Sequence, residues 1–451
     1  MFTQQLRSEL KRTLAVALPL IGAQILQVSN GLVDTLVAGR IGSEELAASG
    51  LGAAMWFIGL IACIGLLAGL SPSIATLLGE RRRSEVGELT RQGLWLALAL
   101  GVTVTAALLV LAQVLHLTPL DPRLAARVPE YLVPAAFSLP AAAIVIAARN
   151  VCEADGRTGV MLWAQAIGLG INIVADLGLG LGWFGLPELG LAGIGWATTA
   201  VQWSMAAVLL WWIAGPRMAK YGVFARYSPP DRQAIGALLS LSLPIYLALL
   251  FEAGLFSATA MQAGALGVLP MGAHNIAIGA TSFAYMLPLG LSLALTARVG
   301  RVHGRGFGPA VRLRAVAGFL LTCVLAGFTA LLLWAFRDPI AALYTPDPAL
   351  RALAAQLLVL AAVFQLSDGM QATMFGILRG LHDTRAPMLI NAFSYWCVAF
   401  GLGFWLAHGV GLGVAGLWYG LIIGLTISSI GLGLRVIWQI RHYDRLRRPA
   451  V

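Results

Sequence analysis

The chain has 451 residues, of which 59% are hydrophobic and only 11% are charged. A soluble domain carries about 25% charged residues, so the composition excludes a soluble protein and predicts one that crosses a membrane many times. The net charge of +10 at pH 7 suggests an acidic partner such as nucleic acid, but the placement of the basic residues excludes that interpretation.

Apolar segments long enough to cross a bilayer follow one another along the whole sequence. A helix of about 20 apolar residues spans the ~30 Å hydrocarbon core of a membrane. We predict twelve such segments, near residues 14–38, 47–78, 92–115, 130–150, 160–183, 189–214, 237–265, 272–300, 313–337, 350–378, 387–408 and 412–437. The expected fold class is therefore an all-α polytopic membrane protein with twelve transmembrane helices.

The basic residues are distributed unevenly between the loops. With both termini in the cytoplasm, 25 of the 30 Lys and Arg lie on the cytoplasmic side. The five on the other side are Arg40, Arg123, Arg127, Arg337 and Arg351. Cytoplasmic loops of membrane proteins carry an excess of Lys and Arg, so the charge reports topology. We expect both termini to be cytoplasmic, and the partner of the chain to be the lipid bilayer and not nucleic acid.

The two halves of the sequence resemble each other. At a shift of 225 residues, segment 17–20 lies over segment 242–245, so Pro19 matches Pro244. Further matches at shifts of 221, 228 and 223 occur in the same order. Each copy holds six spans, and an even number gives both copies the same orientation in the membrane. The predicted organisation is an N-terminal lobe over 1–216, a cytoplasmic linker over 217–236 and a C-terminal lobe over 237–451.

Four acidic residues lie inside these apolar segments: Asp34, Asp176, Glu252 and Asp368. Each costs about 3 kcal/mol at the centre of a bilayer, so an intramembrane carboxylate indicates function. No Lys or Arg is expected at a comparable depth. Carboxylates without fixed cationic partners favour the binding of protons or metal cations, which makes ion-coupled transport the first hypothesis.

The first two acids belong to a polar set in the N-terminal lobe. Asn172 and Asp176 are four residues apart and share one helix face, and Asp34 ends a polar face on the first helix. Oxygen atoms of Asp, Asn and Thr are ligands of hard cations, so Asp34, Asn172, Asp176 and Thr198 are a candidate Na⁺ site. Two carboxylates in a medium of low dielectric are also suited to exchanging protons. The alternative is purely structural, a hydrogen-bonded knot of protonated acids between helices.

The other two acids predict a substrate site in the C-terminal lobe. Gln365 lies on the same side of the tenth helix as Asp368. A carboxylate in an aromatic-lined cavity suits an organic cation, through ion pairing and cation–π contact. The candidate wall residues are Tyr246, Met261, Phe283, Tyr285 and Met286. Each of them taken singly also fits a core or lipid-facing position, and His274 fits either a proton shuttle or a core histidine.

These residues resemble the MATE (multidrug and toxic compound extrusion) family over almost the full length of the chain. The resemblance rests on the first helix from Leu18 to Thr35, on Phe251-Glu252, on Ala273-His274, on Arg298-Val299-Gly300, and on Asp368 with Leu378-Arg379-Gly380. Having both Glu252 and Asp368 is similar to the NorM-type bacterial branch. The resemblance implies that the N-lobe cation site falls on Asp34, Asn172, Asp176 and Thr198. In NorM-type members the position of Asp176 is often Asn, and here the chain departs toward other branches.

The resemblance implies a bacterial inner-membrane antiporter that exports organic drugs and toxic compounds, which we expect to be cationic, by alternating access, driven by Na⁺ or H⁺. We expect a monomer with no cofactor and no enzymatic activity. One alternative is a flippase for a lipid-linked precursor, which favours a cationic cavity, whereas the intramembrane charge assigned here is negative. Another is an intramembrane hydrolase, but its nucleophile–base or metal motifs are missing from these segments. A channel is disfavoured, because two lobes with unlike acid sets suit a rocking motion better than a symmetric pore.

Overall fold

Helices make up nearly all of the structure. The computed structural model describes residues 2–117, 121–306 and 308–446. The helices of the first half are α1 (Phe2–Ile41), α2 (Ser43–Leu67), α3 (Leu70–Gly79), α4 (Arg83–Val114), α5 (Pro122–Ala136), α6 (Leu139–Asp155), α7 (Gly159–Ala175) and α8 (Leu191–Ala214). Those of the second half are α9 (Arg232–Ala265), α10 (Val268–Arg305), α11 (Gly308–Ala335), α12 (Arg337–Tyr344), α13 (Pro348–Gly380), α14 (Arg385–Ala392), α15 (Gly401–Phe404) and α16 (Gly413–Leu446). The predicted all-α fold class is confirmed. Two of the basic residues used to predict topology, Arg447 and Arg448, lie outside the described residues.

Within the described residues, eleven helices are long and apolar enough to cross a membrane. Helices α2 and α3 together form one of them, Ser43–Gly79. A twelfth span arises from α5 and α6, which are bent by 44° where they meet. Every predicted segment therefore corresponds to a helix or to a bent pair, and the prediction of twelve spans holds when that pair counts as one.

The internal repeat is visible in how two equivalent helices begin. Asp121 precedes Pro122 at the start of α5, and its carboxylate accepts a hydrogen bond from the backbone N–H of Arg123 at 2.8 Å. Asp347 precedes Pro348 at the start of α13, and it caps the helix in the same way at 2.9 Å. An Asp cap satisfies a free N–H of the first turn, and proline at the first position has none to satisfy. Both halves thus start their fourth span with the same pair of residues.

The chain divides into two compact units. The N-unit runs from Gly22 to Tyr246, and the C-unit comprises the described residues up to Ile21 together with those from Leu247 onward. The boundaries fall inside α1 and α9, two residues after the matched Pro19 and Pro244. Proline removes a backbone hydrogen bond and favours a bend in a helix. In each of these helices the residues on one side of this boundary belong to one unit and those on the other side to the other unit, and the boundary lies within one turn of the proline.

In the N-unit, the polar segment that follows α8 is folded onto α4. Arg91 donates hydrogen bonds to the carbonyl oxygens of Gly222 and Val223, both at 2.9 Å. The indole N–H of Trp95 donates to the carbonyl oxygen of Ser228 at 3.0 Å. These bonds satisfy backbone carbonyl groups that have no helical hydrogen bond. The segment predicted as a linker is thus held in place by α4.

In the C-unit, the core contains a cluster of aromatic side chains. Trp418 on α16 is fully buried and meets Phe364 on α13 edge-on, with ring centroids 5.8 Å apart. His274 on α10 is 1% exposed and packs edge-on against the same tryptophan. Edge-to-face contacts of this kind stabilise aromatic pairs beyond simple burial. His274 is therefore a core residue, and its Nδ1 has no hydrogen-bond partner among the described residues.

The fifth span of each half departs from regular α-helical geometry. In the N-unit α7 continues as a π-helical turn over Asp176–Gly180. In the C-unit α14 continues as a π-helical segment over Phe393–Phe400. A π-turn widens the helix, leaves backbone groups less regularly paired and is often found at functional sites. The first segment contains Asp176 and the second contains Tyr395, and each of these belongs to a polar cluster of its unit.

Candidate functional site

The N-unit brings three of the predicted cation ligands together. Asp34 lies on α1, Asn172 lies on α7, and Asp176 is the first residue of the π-turn that follows α7. The side-chain amide nitrogen of Asn172 donates to Oδ1 of Asp34 at 2.8 Å and to Oδ2 of Asp176 at 3.1 Å. The two carboxyls also lie within hydrogen-bonding reach of each other. One amide therefore links two acids that come from different helices.

Two buried oxygen atoms at this site remain unsatisfied. Asp176 is fully buried and Asn172 is 2% exposed. Oδ1 of Asp176 and Oδ1 of Asn172 have no hydrogen-bond partner among the described residues. A buried acceptor without a partner costs about 1–3 kcal/mol, and such a group calls for an explanation. A cation bound between these oxygens would satisfy both, whereas a proton held by the carboxyl pair would satisfy only a carboxylate oxygen.

Tyr131 on α5 joins this cluster, and the sequence analysis did not identify it. Its side chain is 2% exposed, its hydroxyl lies within hydrogen-bonding reach of Thr198, and it feels the charge of both Asp34 and Asp176. Thr198 on α8 also donates to the carbonyl oxygen of Ile194 at 3.2 Å. Tyr131 is the only tyrosine among residues 1–216. That rarity was the available signal in the sequence.

A glycine makes room for this tyrosine. A Cβ atom at Gly52 on α2 would lie 2.6 Å from Cδ1 of Tyr131. Real side chains do not approach so closely, so any larger residue at position 52 displaces the ring or the helix. Small residues allow membrane helices to approach closely. Gly52 therefore positions Tyr131 beside Thr198 and the two acids.

The C-unit brings its two acids together with two tyrosines. Glu252 on α9 and Asp368 on α13 are close enough to repel each other. Tyr285 on α10 and Tyr395 in the π-helical segment both feel the charge of both acids. The side-chain amide of Gln371 donates to the hydroxyl of Tyr395 at 2.7 Å. Tyr395 is a second member that sequence reasoning missed, because its helix carries no acid to mark it.

A basic residue acts on this second cluster. The guanidinium of Arg379, near the end of α13, attracts the carboxylate of Glu252. It also donates to the hydroxyl of Ser292 at 3.3 Å and lies over the ring of Phe375, 5.2 Å from its centroid. The sequence analysis expected no Lys or Arg at the depth of the acids, and it did not anticipate that the charge of Arg379 acts on Glu252. The sequence analysis placed Arg379 on the cytoplasmic side of the membrane. It lies near the end of α13, where its positive charge still acts on Glu252.

The other residues predicted for the substrate site differ in their burial and in the unit to which they belong. Gln365 is fully buried, and neither its amide nitrogen nor its amide oxygen has a hydrogen-bond partner among the described residues. Tyr285 and Met286 are half-buried, while Phe283 is 44% exposed. Tyr246 belongs to the N-unit, where its backbone lies against Gly65 of α2.

The internal repeat also appears when the chain is compared with known proteins. The family model MatE matches the chain twice, over residues 19–177 and 244–405. These matches begin 225 residues apart, which is the shift of the internal repeat. Each half of the chain therefore carries one copy of the family's unit.

The curated relatives are bacterial transporters. The multidrug resistance protein PmpM of Pseudomonas aeruginosa is 36% identical, over 98% of this chain and 95% of its own length. The multidrug resistance protein MdtK of Yersinia pestis is 34% identical, over 95% of both chains.

Solved structures show the same fold at lower identity. A crystal structure of a MATE protein in the straight conformation has a TM-score of 0.90 at 21% identity and covers 98% of both chains. The eukaryotic MATE transporter AtDTX14 has a TM-score of 0.88 at 18% identity, over 98% of this chain and 99% of its own. The two-lobe architecture of these proteins is also that of the present chain.

Members of this family are transporters and not enzymes, they use ion gradients, and they need no cofactor. That removes the intramembrane hydrolase alternative. Bacterial relatives and eleven or twelve apolar spans indicate a multi-pass protein of the inner membrane. The chain belongs to the MatE family of multidrug transporters.

Proposed function

We propose that the chain is a cation-coupled antiporter that exports organic cations across the inner membrane by alternating access. Either Na⁺ or H⁺ flowing inward would drive export. Both termini would lie in the cytoplasm, and the protein would act as a monomer with an N-terminal lobe over 1–216 and a C-terminal lobe over 237–451. The relatives named as multidrug resistance proteins support the substrate class.

The observation that carries this proposal is the bridge made by Asn172. A single amide nitrogen holds the carboxyls of Asp34 and Asp176 beside two buried oxygens that have no partner. A fully satisfied knot would favour a structural role, because its hydrogen-bonding capacity would be used within the protein. The orphan oxygens instead favour a site that takes up a small cation, with Thr198 and Tyr131 adding hydroxyl oxygens nearby. Oxygen-only ligands suit Na⁺, and paired carboxyls suit H⁺.

The C-unit cluster supports a substrate that carries positive charge. Glu252 and Asp368 repel each other, so a cation that lies between them relieves the repulsion of both. Tyr285 and Tyr395 add aromatic faces and hydroxyls to the same place. Carboxylates beside aromatic rings recognise organic cations by charge and by cation–π contact. Arg379 attracts Glu252 and so weakens its pull on a substrate, which makes Asp368 the stronger anchor.

Exchange requires that binding of the coupling ion weakens binding of the substrate. If the ion binds the N-unit acids, the coupling passes through a change in conformation. If it binds Glu252 or Asp368, competition for one charge is sufficient. Variants of the two clusters distinguish these routes. Only direct competition predicts that substrate binding no longer depends on the ion once Glu252 or Asp368 is replaced.

The test is transport of ethidium by purified protein in proteoliposomes, with a Na⁺ gradient and a pH gradient imposed separately. We expect one gradient to drive transport in the wild type and Asp34→Asn to abolish the response. Glu188→Gln removes a carboxylate from an exposed loop and serves as the control. The proposal is wrong if neither gradient drives transport. A wild-type response of Asp34→Asn would exclude the N-unit acids as the coupling site and leave Glu252 and Asp368.

A further inference from the structure

A groove on the C-unit lies between three helices, and the described residues that line it include no acidic residue. It has a volume of about 510 Å³ and is walled by α11, α13 and α16. Four residues of α11, Arg312, Ala315, Val316 and Phe319, follow one helix face at spacings of three and four. Gly433, Val436, Ile437, Ile440 and Arg441 form the equivalent stripe on α16, and Met374 closes the groove from α13. Each stripe is apolar along its length and ends in one arginine.

The two arginines lie at the same edge of the unit. Arg312 is in the second turn of α11, which begins at Gly308, and Arg441 is in the last turns of α16, which ends at Leu446. Trp438 lies one turn before Arg441 and is 48% exposed. Tryptophan is enriched at the level of lipid headgroups. The groove therefore begins at the membrane interface and runs inward, by about 10 Å from Arg312 to Phe319 at 1.5 Å per residue.

Neither arginine has a carboxylate partner among the described residues, although its neighbours on the same helices do. Arg314 on α11 pairs with Glu9 at 3.3 Å, and Arg435 on α16 pairs with Asp383 at 2.6 Å. Arg312 and Arg441 are exposed and form no salt bridge within the described chain. Among the described residues, the edge of the groove therefore presents two positive charges that have no carboxylate partner.

We propose that this groove binds one anionic phospholipid, with its phosphate between Arg312 and Arg441 and an acyl chain along the apolar floor. Charge complementarity selects the headgroup, since basic pockets between transmembrane helices bind anionic lipids. The apolar stripes select a lipid over a free anion, because a soluble phosphate would leave the floor exposed. Gly433 keeps the floor open: a Cβ atom there meets nothing within 4 Å. The proposal concerns lipid binding and does not depend on the coupling ion or on the exported substrate.

A second crevice provides an internal control. It lies in the N-unit, has a volume of about 470 Å³, and is lined by Trp95 and Tyr227 among other residues. Its two arginines, Arg91 and Arg226, both pair with Glu88, at 2.6 and 3.2 Å. Both of its arginines share one carboxylate partner, so we expect this crevice to prefer an anionic lipid less strongly than the groove does.

The experiment is native mass spectrometry of the full-length protein, titrated in detergent with phosphatidylglycerol or with phosphatidylcholine of the same chains. We expect one phosphatidylglycerol to bind in preference to phosphatidylcholine. Arg312→Gln with Arg441→Gln should weaken its binding roughly 25-fold, at about fivefold per arginine near the membrane surface. Arg226→Gln with Arg232→Gln makes the same change in net charge elsewhere and should leave binding unchanged.

Gly433→Leu fills the floor and keeps both arginines, so it tests the groove even if the double variant does not fold. It should weaken phosphatidylglycerol binding while the protein stays monodisperse. Equal binding of both lipids to the wild type would overturn the proposal. An equal loss in the control pair, unchanged binding in Gly433→Leu, or displacement of the lipid by millimolar inorganic phosphate would do so as well.

Discussion

Asn172 donates a hydrogen bond across 2.8 Å to Oδ1 of Asp34, and this bond joins α7 to α1 at the level of the N-unit acids. The same nitrogen holds Asp176, so movement of α1 relative to α7 changes the environment of both carboxyls. Binding a cation or a proton at this place would strengthen or replace the bond. The position of α1, a helix that also contributes to the C-unit, is thereby tied to occupancy of the site.

Replacing Asp34 by asparagine should abolish ion-driven export without unfolding the protein. The substitution removes the exchangeable charge but keeps the size of the side chain and its capacity to accept from Asn172. We expect transport to fall at least tenfold, with a thermal midpoint close to that of the wild type. Efflux measured together with protein level checks both parts. Loss of folded protein in step with loss of efflux would instead indicate a structural role.

Replacing Tyr131 by phenylalanine should weaken binding of the coupling ion but not remove it. The variant loses only the hydroxyl near Thr198, and a single hydrogen bond contributes about 1 kcal/mol, which corresponds to roughly fivefold in affinity. The ion concentration that gives half-maximal transport should rise by that factor. Tyr227→Phe changes an exposed tyrosine and should have no effect. Identical ion dependence in the two variants would exclude Tyr131 from the site.

Replacing Gly52 by leucine should disrupt the site by displacing Tyr131. A Cβ atom at position 52 already lies 2.6 Å from the ring, and overpacking of this kind costs about 1–3 kcal/mol. Gly50 lies on the same helix with nothing within 4 Å of its Cβ position. Gly50→Leu is therefore the matched control. We expect Gly52→Leu alone to lower both the thermal midpoint and transport; equal behaviour of the two variants would contradict the packing argument.

Replacing Glu252 by glutamine and Asp368 by asparagine should each reduce binding of a fluorescent organic cation, with the larger loss at Asp368. The two acids repel each other and only Glu252 is attracted by Arg379. Removing one acid relieves the other, which then binds the cation better, so the double variant should lose more than the sum of the single losses. Titration of the wild type with Na⁺ and with acid supplies the second readout. Affinity that is insensitive to both would rule out competition at this cluster.

Replacing Glu9 by glutamine should destabilise the C-unit. Glu9 on α1 is 5% exposed and pairs with both Arg298 on α10 and Arg314 on α11. Losing the shared partner leaves two poorly hydrated cations side by side, which we expect to cost about 2 kcal/mol. Glu85→Gln breaks an exposed pair with Arg82 and should cost less than about 1 kcal/mol. Thermal unfolding in detergent compares them, and similar midpoints would contradict the assignment.

Much of the architecture could be predicted because it depends on local composition. Apolar length and the distribution of arginines gave the spans, and the match of Pro19 with Pro244 gave the repeat. The pairing of Asn172 with Asp176 followed from helical spacing alone, since residues four apart share a face whatever surrounds them. The acids were recognisable for a similar reason, because a carboxylate in an apolar segment is conspicuous in any fold.

The contacts between helices were decided only by the tertiary structure. Tyr131 and Thr198 are on different helices, and their meeting depends on the space left by Gly52, which no periodicity records. Tyr246 carried the right chemistry for a substrate wall, but packing against Gly65 places it in the N-unit. The charge of Arg379 acts on Glu252, and Arg312 lines the same groove as Arg441, because packing brings residues together that are far apart in the sequence. Helix formation depends on residues a few positions apart, whereas the choice of facing surfaces depends on close packing between distant residues.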